Sequence, residues 1–318
     1  MSTETTPPGA RADLDGSHGQ PASVPVAAGP WPPRGDERPP TRRQPVPSWL
    51  RFFGSELRLV FGRPRNLALL SVLTVVPIFL GVVLRLTVHS AGGGGPEFLN
   101  QLAGNGVFLA LVVLTLTQNA LLLPLCVAVV AGDAIAGEAN LGTLGGLLTV
   151  PAGRTRLLAV KYAALLVFSV AVCLLVTLAS LVMGVLLFHT GPVTLLSGTT
   201  VSLGSGVLRV LAVTVYAAVA MMSLAAIGLA ASTLTQHPVG AIAGLLVLVV
   251  ASEICDQVQQ LSAIHAYLPT HWWLSWDGLF RSPMDLSGVA SGVVSFAVYA
   301  AIFLSIAWAR LTSADVTS

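Results

Sequence analysis

Charge is what this chain has least of. Only 9% of its 318 residues are Asp, Glu, Lys or Arg, where a soluble globular domain carries about 25%. With hydrophobic residues at 54% and a mean hydropathy of +0.81, a soluble protein is excluded. A net charge of +2 leaves no basic footprint for a nucleic-acid partner. Lysine is scarcer still, because fifteen of the 16 Lys+Arg are Arg and the remaining one is Lys161. A Walker-A loop, G-x-x-x-x-G-K-[ST], needs a Lys to reach the phosphates. Val160 and Tyr162 flank Lys161, so no such site exists. The chain is expected to be no enzyme, to hydrolyse no ATP by that route and to hold no cofactor of its own.

Cysteine is also short. Cys126, Cys173 and Cys255 are odd in number and unclustered, with no C-x-x-C, which excludes a disulfide framework or Cys-rich metal site. They read as small buried hydrophobes. The histidines lie in the tail, in loops or near span ends. His265 and His271, six apart beside tryptophans, are read as interface residues rather than metal ligands.

What is present falls into blocks. Residues 1–47 hold 11 of the 20 prolines and no apolar run. They cannot bury enough surface to offset the entropy of ordering, so a disordered tail is expected. No apolar stretch follows Met1, so no secretory signal peptide is expected. Residues 48–64 form an amphipathic segment. At about 100° per residue, Trp49, Leu50, Phe53, Leu57, Val60 and Phe61 share one side. Arg51, Ser55 and Arg58 lie opposite, with Glu56 and Arg63 on the shoulders. Ser48 suits an N-cap and Pro64 breaks the pattern. Such a helix lies in a membrane interface.

Six stretches approach the roughly 20 apolar residues that a crossing needs: Leu67 to Val88, Gly106 to Gly132, Leu157 to Phe188, Val207 to Leu234, Val239 to about Cys255, and Leu286 to Ala309. The fifth is the shortest. The fold class is therefore all-α: a polytopic membrane protein with six spans, an interfacial elbow helix and a disordered N-terminal tail. Thirteen of the Lys and Arg residues fall on one side of these spans and three, Arg85, Arg209 and Arg281, on the other. The positive-inside rule puts the thirteen, and both termini, in the cytoplasm. The segment 256–285 is then outside, and its His271-Trp272-Trp273 and Trp276 suit an aromatic belt. Residues 311–318 form a short cytoplasmic tail.

The span centres carry no ionisable residue, which counts against an ion- or proton-coupled secondary transporter. The most polar midplane pair is Gln118-Asn119. A membrane-embedded lipid-modifying enzyme would need clustered acids or histidines at the interface. Glu253 and Asp256 are the one such pair, and they also read as helix-end residues reaching water. The chain looks like a conduit whose energy comes from another chain. The loop 133–156 suits the contact. Asp133 and Glu138 close the second span, Gly142 ends its helix, and Thr143 can cap a short helix with Leu144, Leu147 and Leu148 on one face. Pro151 stops it, and Arg154 and Arg156 lead into the third span.

The run GDAIAGE…GTL…LL…P…R…K, together with an elbow before six spans, resembles the permease subunit of type-2 ATP-binding-cassette (ABC) transporters over Ser48 to Arg310. The matching residues are Glu138, Gly142-Thr143-Leu144, Pro151, Arg154 and Lys161. Leu268-Pro269-Thr270-His271-Trp272-Trp273 is also similar to the family. The resemblance implies an exporter permease in the plasma membrane, paired with a second permease of the same or a related sequence. It implies two separate ATP-binding subunits, which hold the ATP and Mg and grip the loop 133–156. It places the conduit near spans two and five, so Gln118 and Asn119 are substrate-path candidates, or else an interhelical hydrogen bond. It makes Glu138 a link from the loop to the elbow or the ATPase, with Arg51 or Arg58 as its partners.

Overall fold

The computed structural model describes residues 48–90, 105–140, 153–188, 190–195 and 197–313. The tail 1–47, the Gly92–Gly95 run and the candidates Gly142, Thr143, Leu144 and Pro151 lie outside the described residues. Among the described residues the fold is helical. The helices are α1 (Ser48–Gly62), α2 (Pro64–Ser90), α3 (Val107–Asn119), α4 (Leu122–Asn140), α5 (Arg154–Leu187), α6 (Leu203–Leu234), α7 (Pro238–Gln257), the single turn α8 (Ser262–His265) and α9 (Ser287–Ser313). A two-strand hairpin, β1 (Val193–Thr194) with β2 (Thr200–Val201), joins α5 to α6. Gly198, at φ +79°, makes its turn, and left-handed backbone of this kind is where glycine carries no Cβ penalty. Six of the described helices, α2, α4, α5, α6, α7 and α9, are long and apolar enough to cross a membrane.

The second crossing differs from the uninterrupted helix expected over Gly106 to Gly132. It breaks between α3 and α4, where Leu121 takes φ 62°. Pro124 explains the break. In a continuous helix its ring would meet the carbonyl of Ala120, and it has no N–H to donate there. Restarting at Leu122 puts Pro124 in the first turn, where an N–H has no helical partner in any case. The turn is closed by Ala120 N–H to the Leu116 carbonyl at 2.8 Å and Leu125 N–H to the Leu121 carbonyl at 2.8 Å. The fifth span also differs. It is a full 20-residue helix that contains Glu253 and Asp256, opened by Pro238 just inside its N-terminus. At the other end of the chain, α9 runs to Ser313, three residues into the expected C-terminal tail.

Helices α4 and α6 form the centre. Small residues on α6 allow close approach, as interfaces between membrane helices require. A Cβ on Gly228 would meet Ala131 Cβ at 2.7 Å and Leu245 Cδ2 at 2.8 Å. Ser232 Oγ accepts the Ile135 and Ala136 N–H groups of α4 at 3.0 and 2.8 Å. Thr177 of α5 and Thr214 of α6 share a 2.9 Å hydrogen bond. By contrast, α7 buries only a stripe of Ala241, Leu245, Val249 and Ser252. Val239, Val247 and Ile254 face outward.

The elbow is built from its turn. Asn66 is buried and its Nδ2 donates to the Val60 carbonyl at 2.7 Å, tying the start of α2 to the end of α1. Phe61 packs on Phe168 of α5 with ring centroids 5.6 Å apart. At the opposite end of the bundle the segment 256–285, whose aromatics suit an interfacial belt, is folded against the helices. Trp273 and Phe280 are buried. Tyr216 of α6 donates to the Trp272 carbonyl, and Arg209 donates to the carbonyls of Leu279 and Arg281. These bonds satisfy backbone groups that non-helical chain at the membrane boundary would otherwise leave open.

Candidate functional site: a buried charge cluster beneath the elbow

At the elbow end, four helices bring six charged side chains together. Lys161 of α5 is buried. Its Nζ lies 2.6 Å from Glu138 Oε1 of α4 and 3.4 Å from Glu56 Oε2 of α1. Next to this triad, Asp133 of α4 accepts from Arg63, in the α1–α2 turn, and lies 3.0 Å from Arg65 Nη2 of α2. Three cations thus face three carboxylates. Glu56, Arg63, Asp133, Glu138 and Lys161 line one cavity of about 30 Å³. Lys161 and the three carboxylates are buried, Arg63 is half-buried and Arg65 is exposed. Removing a charge from water costs several kcal/mol per ion unless it is well paired, so the buried carboxylates depend on Lys161 and on the two arginines at the rim.

The local sequence explains the placement. Asp133 and Glu138 are five apart on α4, near its end at Asn140, and project into the same cavity. Lys161 lies two turns into α5. Glu56 sits on the side of α1 opposite the exposed Arg51 and Arg58. That corrects the partner expected for Glu138: the ion pair runs to Lys161, not to Arg51 or Arg58. The physical reason is that a buried carboxylate and a buried ammonium satisfy each other, whereas the two arginines keep water. The sequence marks Lys161, a solitary lysine within an apolar run and part of the family pattern, but gives no site role to Glu56, Arg63 or Arg65.

Arg154 lies apart from this cluster. It begins α5 and its Nη1 donates to the Leu311 and Thr312 carbonyls at 2.9 and 3.1 Å, joining α5 to the end of α9. A cation at a helix C-terminus also meets the negative end of its dipole.

Gln118 and Asn119 part company at the helix break. Gln118 is buried with Nε2 lacking a hydrogen-bond partner, while Asn119 is exposed. Asn119 and Leu121 line a cleft of about 460 Å³ with Glu253 and Gln257 of α7. At the same end, Asp256 Oδ1 is 2.6 Å from His271 Nδ1 and 3.9 Å from His265 Nδ1. Among the described residues no group of three or more His, Cys, Asp or Glu is placed to hold a metal ion.

A family model described as ABC-2 family transporter protein matches residues 63–252, well over half of the chain. The chain belongs to the ABC-2 family of transporter proteins: it is a multi-pass membrane protein and an ABC permease, and the family implies an ATP-binding partner in general. A comparison with curated proteins gave no match.

Proposed function

We propose that this permease is the membrane half of an exporter, driven by two separate ATP-binding subunits and paired with a second permease of the same or a related sequence. The elbow end faces the cytoplasm, a reading supported by the thirteen-to-three distribution of Lys and Arg. The plasma membrane is its location. The loop 133–156 is the element the ATP-binding subunits grip.

The observation that carries this reading is the charge cluster. Within the stretch 133–156, Asp133 and Glu138 stand on the last turns of α4 and Arg154 stands where α5 begins. Through Lys161 and Glu56, and through Arg63 and Arg65, the end of α4 is tied to α5, the elbow and α2. Charge-assisted hydrogen bonds are short and directional, so a push on the loop moves these helices together as a rigid body. Transport then follows from the alternate packing of spans two and five, whose far ends line the cleft at Asn119.

The experiment is to co-express the full chain with its cognate ATP-binding chain, purify by a tag on the permease and assay ATPase activity in lipid. A stable complex whose ATPase is stimulated by the permease is expected. A permease that purifies alone and hydrolyses ATP itself would overturn the proposal.

A further inference from the structure

The cleft at the break between α3 and α4 carries an unbalanced charge. Among the described residues Glu253 is its one ionisable lining residue, and no described cation pairs with it. Its polar neighbours are the Thr270 hydroxyl and Asp256. Asp256, one turn further along α7, is already engaged by His271 and His265. Glu253 therefore presents its carboxylate, half-buried, to whatever enters. The other walls are of two kinds. Asn119 and Gln257 offer amides that donate or accept, and Val250, Ile254 and Leu274 supply apolar surface. At about 460 Å³ the cleft falls within the roughly 300–1,000 Å³ range of sites for drug-sized ligands.

We infer that this cleft binds an organic cation with an apolar body, its charge set against Glu253 and its body against α7 and Leu274. This rests on the reading of the chain as a permease and names the substrate class of its path. An anion would meet Glu253 with no compensating cation. A neutral apolar molecule would leave the carboxylate partly desolvated with only the Thr270 hydroxyl to satisfy it, which costs free energy. A cation satisfies it, and the apolar walls select one that is not a bare ion.

The test uses the full chain in nanodiscs of zwitterionic phosphatidylcholine, with radiolabelled tetraphenylphosphonium as probe and tetraphenylborate as its counterpart of opposite sign. Saturable phosphonium binding above empty discs is expected, with no saturable borate binding. Glu253→Gln should weaken phosphonium binding by about two- to fivefold, the scale of a half-exposed charge pair. Asp277→Asn, which removes one negative charge from an exposed position at the same end, should leave binding unchanged. Gln257→Glu adds a carboxylate to the cleft and should tighten binding, which keeps the test decisive if Glu253→Gln folds poorly. Glu253→Gln binding like wild type, no response to Gln257→Glu, or no saturable phosphonium binding would overturn the inference. Co-purification with the ATP-binding chain is scored on the same preparations. Intact assembly with Glu253-independent binding sinks the cation site alone. Glu253-dependent binding without assembly sinks the exporter reading alone.

Discussion

Lys161 Nζ lies between Glu138 Oε1 and Glu56 Oε2, at 2.6 and 3.4 Å, so one ammonium on α5 joins the end of α4 to the elbow helix. Removing that ammonium leaves two buried carboxylates facing each other. Breaking a buried ion pair on one side costs about 3–5 kcal/mol, so Lys161→Met should lower the thermal stability of the purified protein by an amount of that order. Adding Glu56→Gln and Glu138→Gln to Lys161→Met should restore most of the loss. Thermal unfolding in detergent, followed by size-exclusion fluorescence, checks both.

Gly106 and Gly184 press α3 against the far end of α5. A Cβ on either would run into the backbone of the other, and backbone cannot swing aside as a side chain can. Gly184→Ala and Gly106→Ala should each destabilise by about 1–3 kcal/mol, the usual range for overpacking. Gly244→Ala, with open space around its Cα, should not. The same unfolding measurement separates the three variants.

Asp285 holds the start of α9. Its Oδ1 accepts from the Ser287 N–H at 3.0 Å and the Ser287 hydroxyl at 2.7 Å, and these bonds hold its carboxyl below the ordinary value. A depressed carboxylate contributes its stability above the unfolded-state value and loses it as pH falls through the folded one. Asp285→Ala should therefore speed amide exchange in the first turn of α9 at neutral pH. Below the usual carboxylate range the variant and the wild type should converge. Hydrogen exchange followed by mass spectrometry over that pH range reads the difference.

Orientation can be tested by reporter fusions. Fusions after Gly198 and Pro283 should report outside and one after Gly153 inside. A cytoplasmic signal at Gly198 would break the proposed arrangement.

The spans were legible because apolar length alone selects a helix that can cross a membrane, and the elbow because its face repeats at helical spacing. The break at Leu121 was legible in principle. Pro124 stands inside a 27-residue charge-free run, and a proline there requires either a kink or a restart. The choice of partners was not. Glu138 and Lys161 are 23 residues apart, and their meeting depends on how α4 and α5 pack, which no local pattern encodes. Glu56 looked like a shoulder residue because its burial depends on a lysine in another helix. Trp273 looked like a belt residue because aromatic composition does not distinguish a ring at the lipid boundary from one packed beneath a folded segment.

The central claim is that the cluster transmits motion between the loop after α4 and the rest of the bundle. The direct measurement is the ATPase rate of the reconstituted complex carrying Glu138→Gln, which keeps the side chain's size and leaves Lys161 paired with Glu56. Assembly with the ATP-binding chain should persist, while stimulation of its ATPase and transport should fall together, and Glu253→Ala at the opposite end should leave assembly intact. A Glu138→Gln complex with full stimulation and full transport would contradict the account.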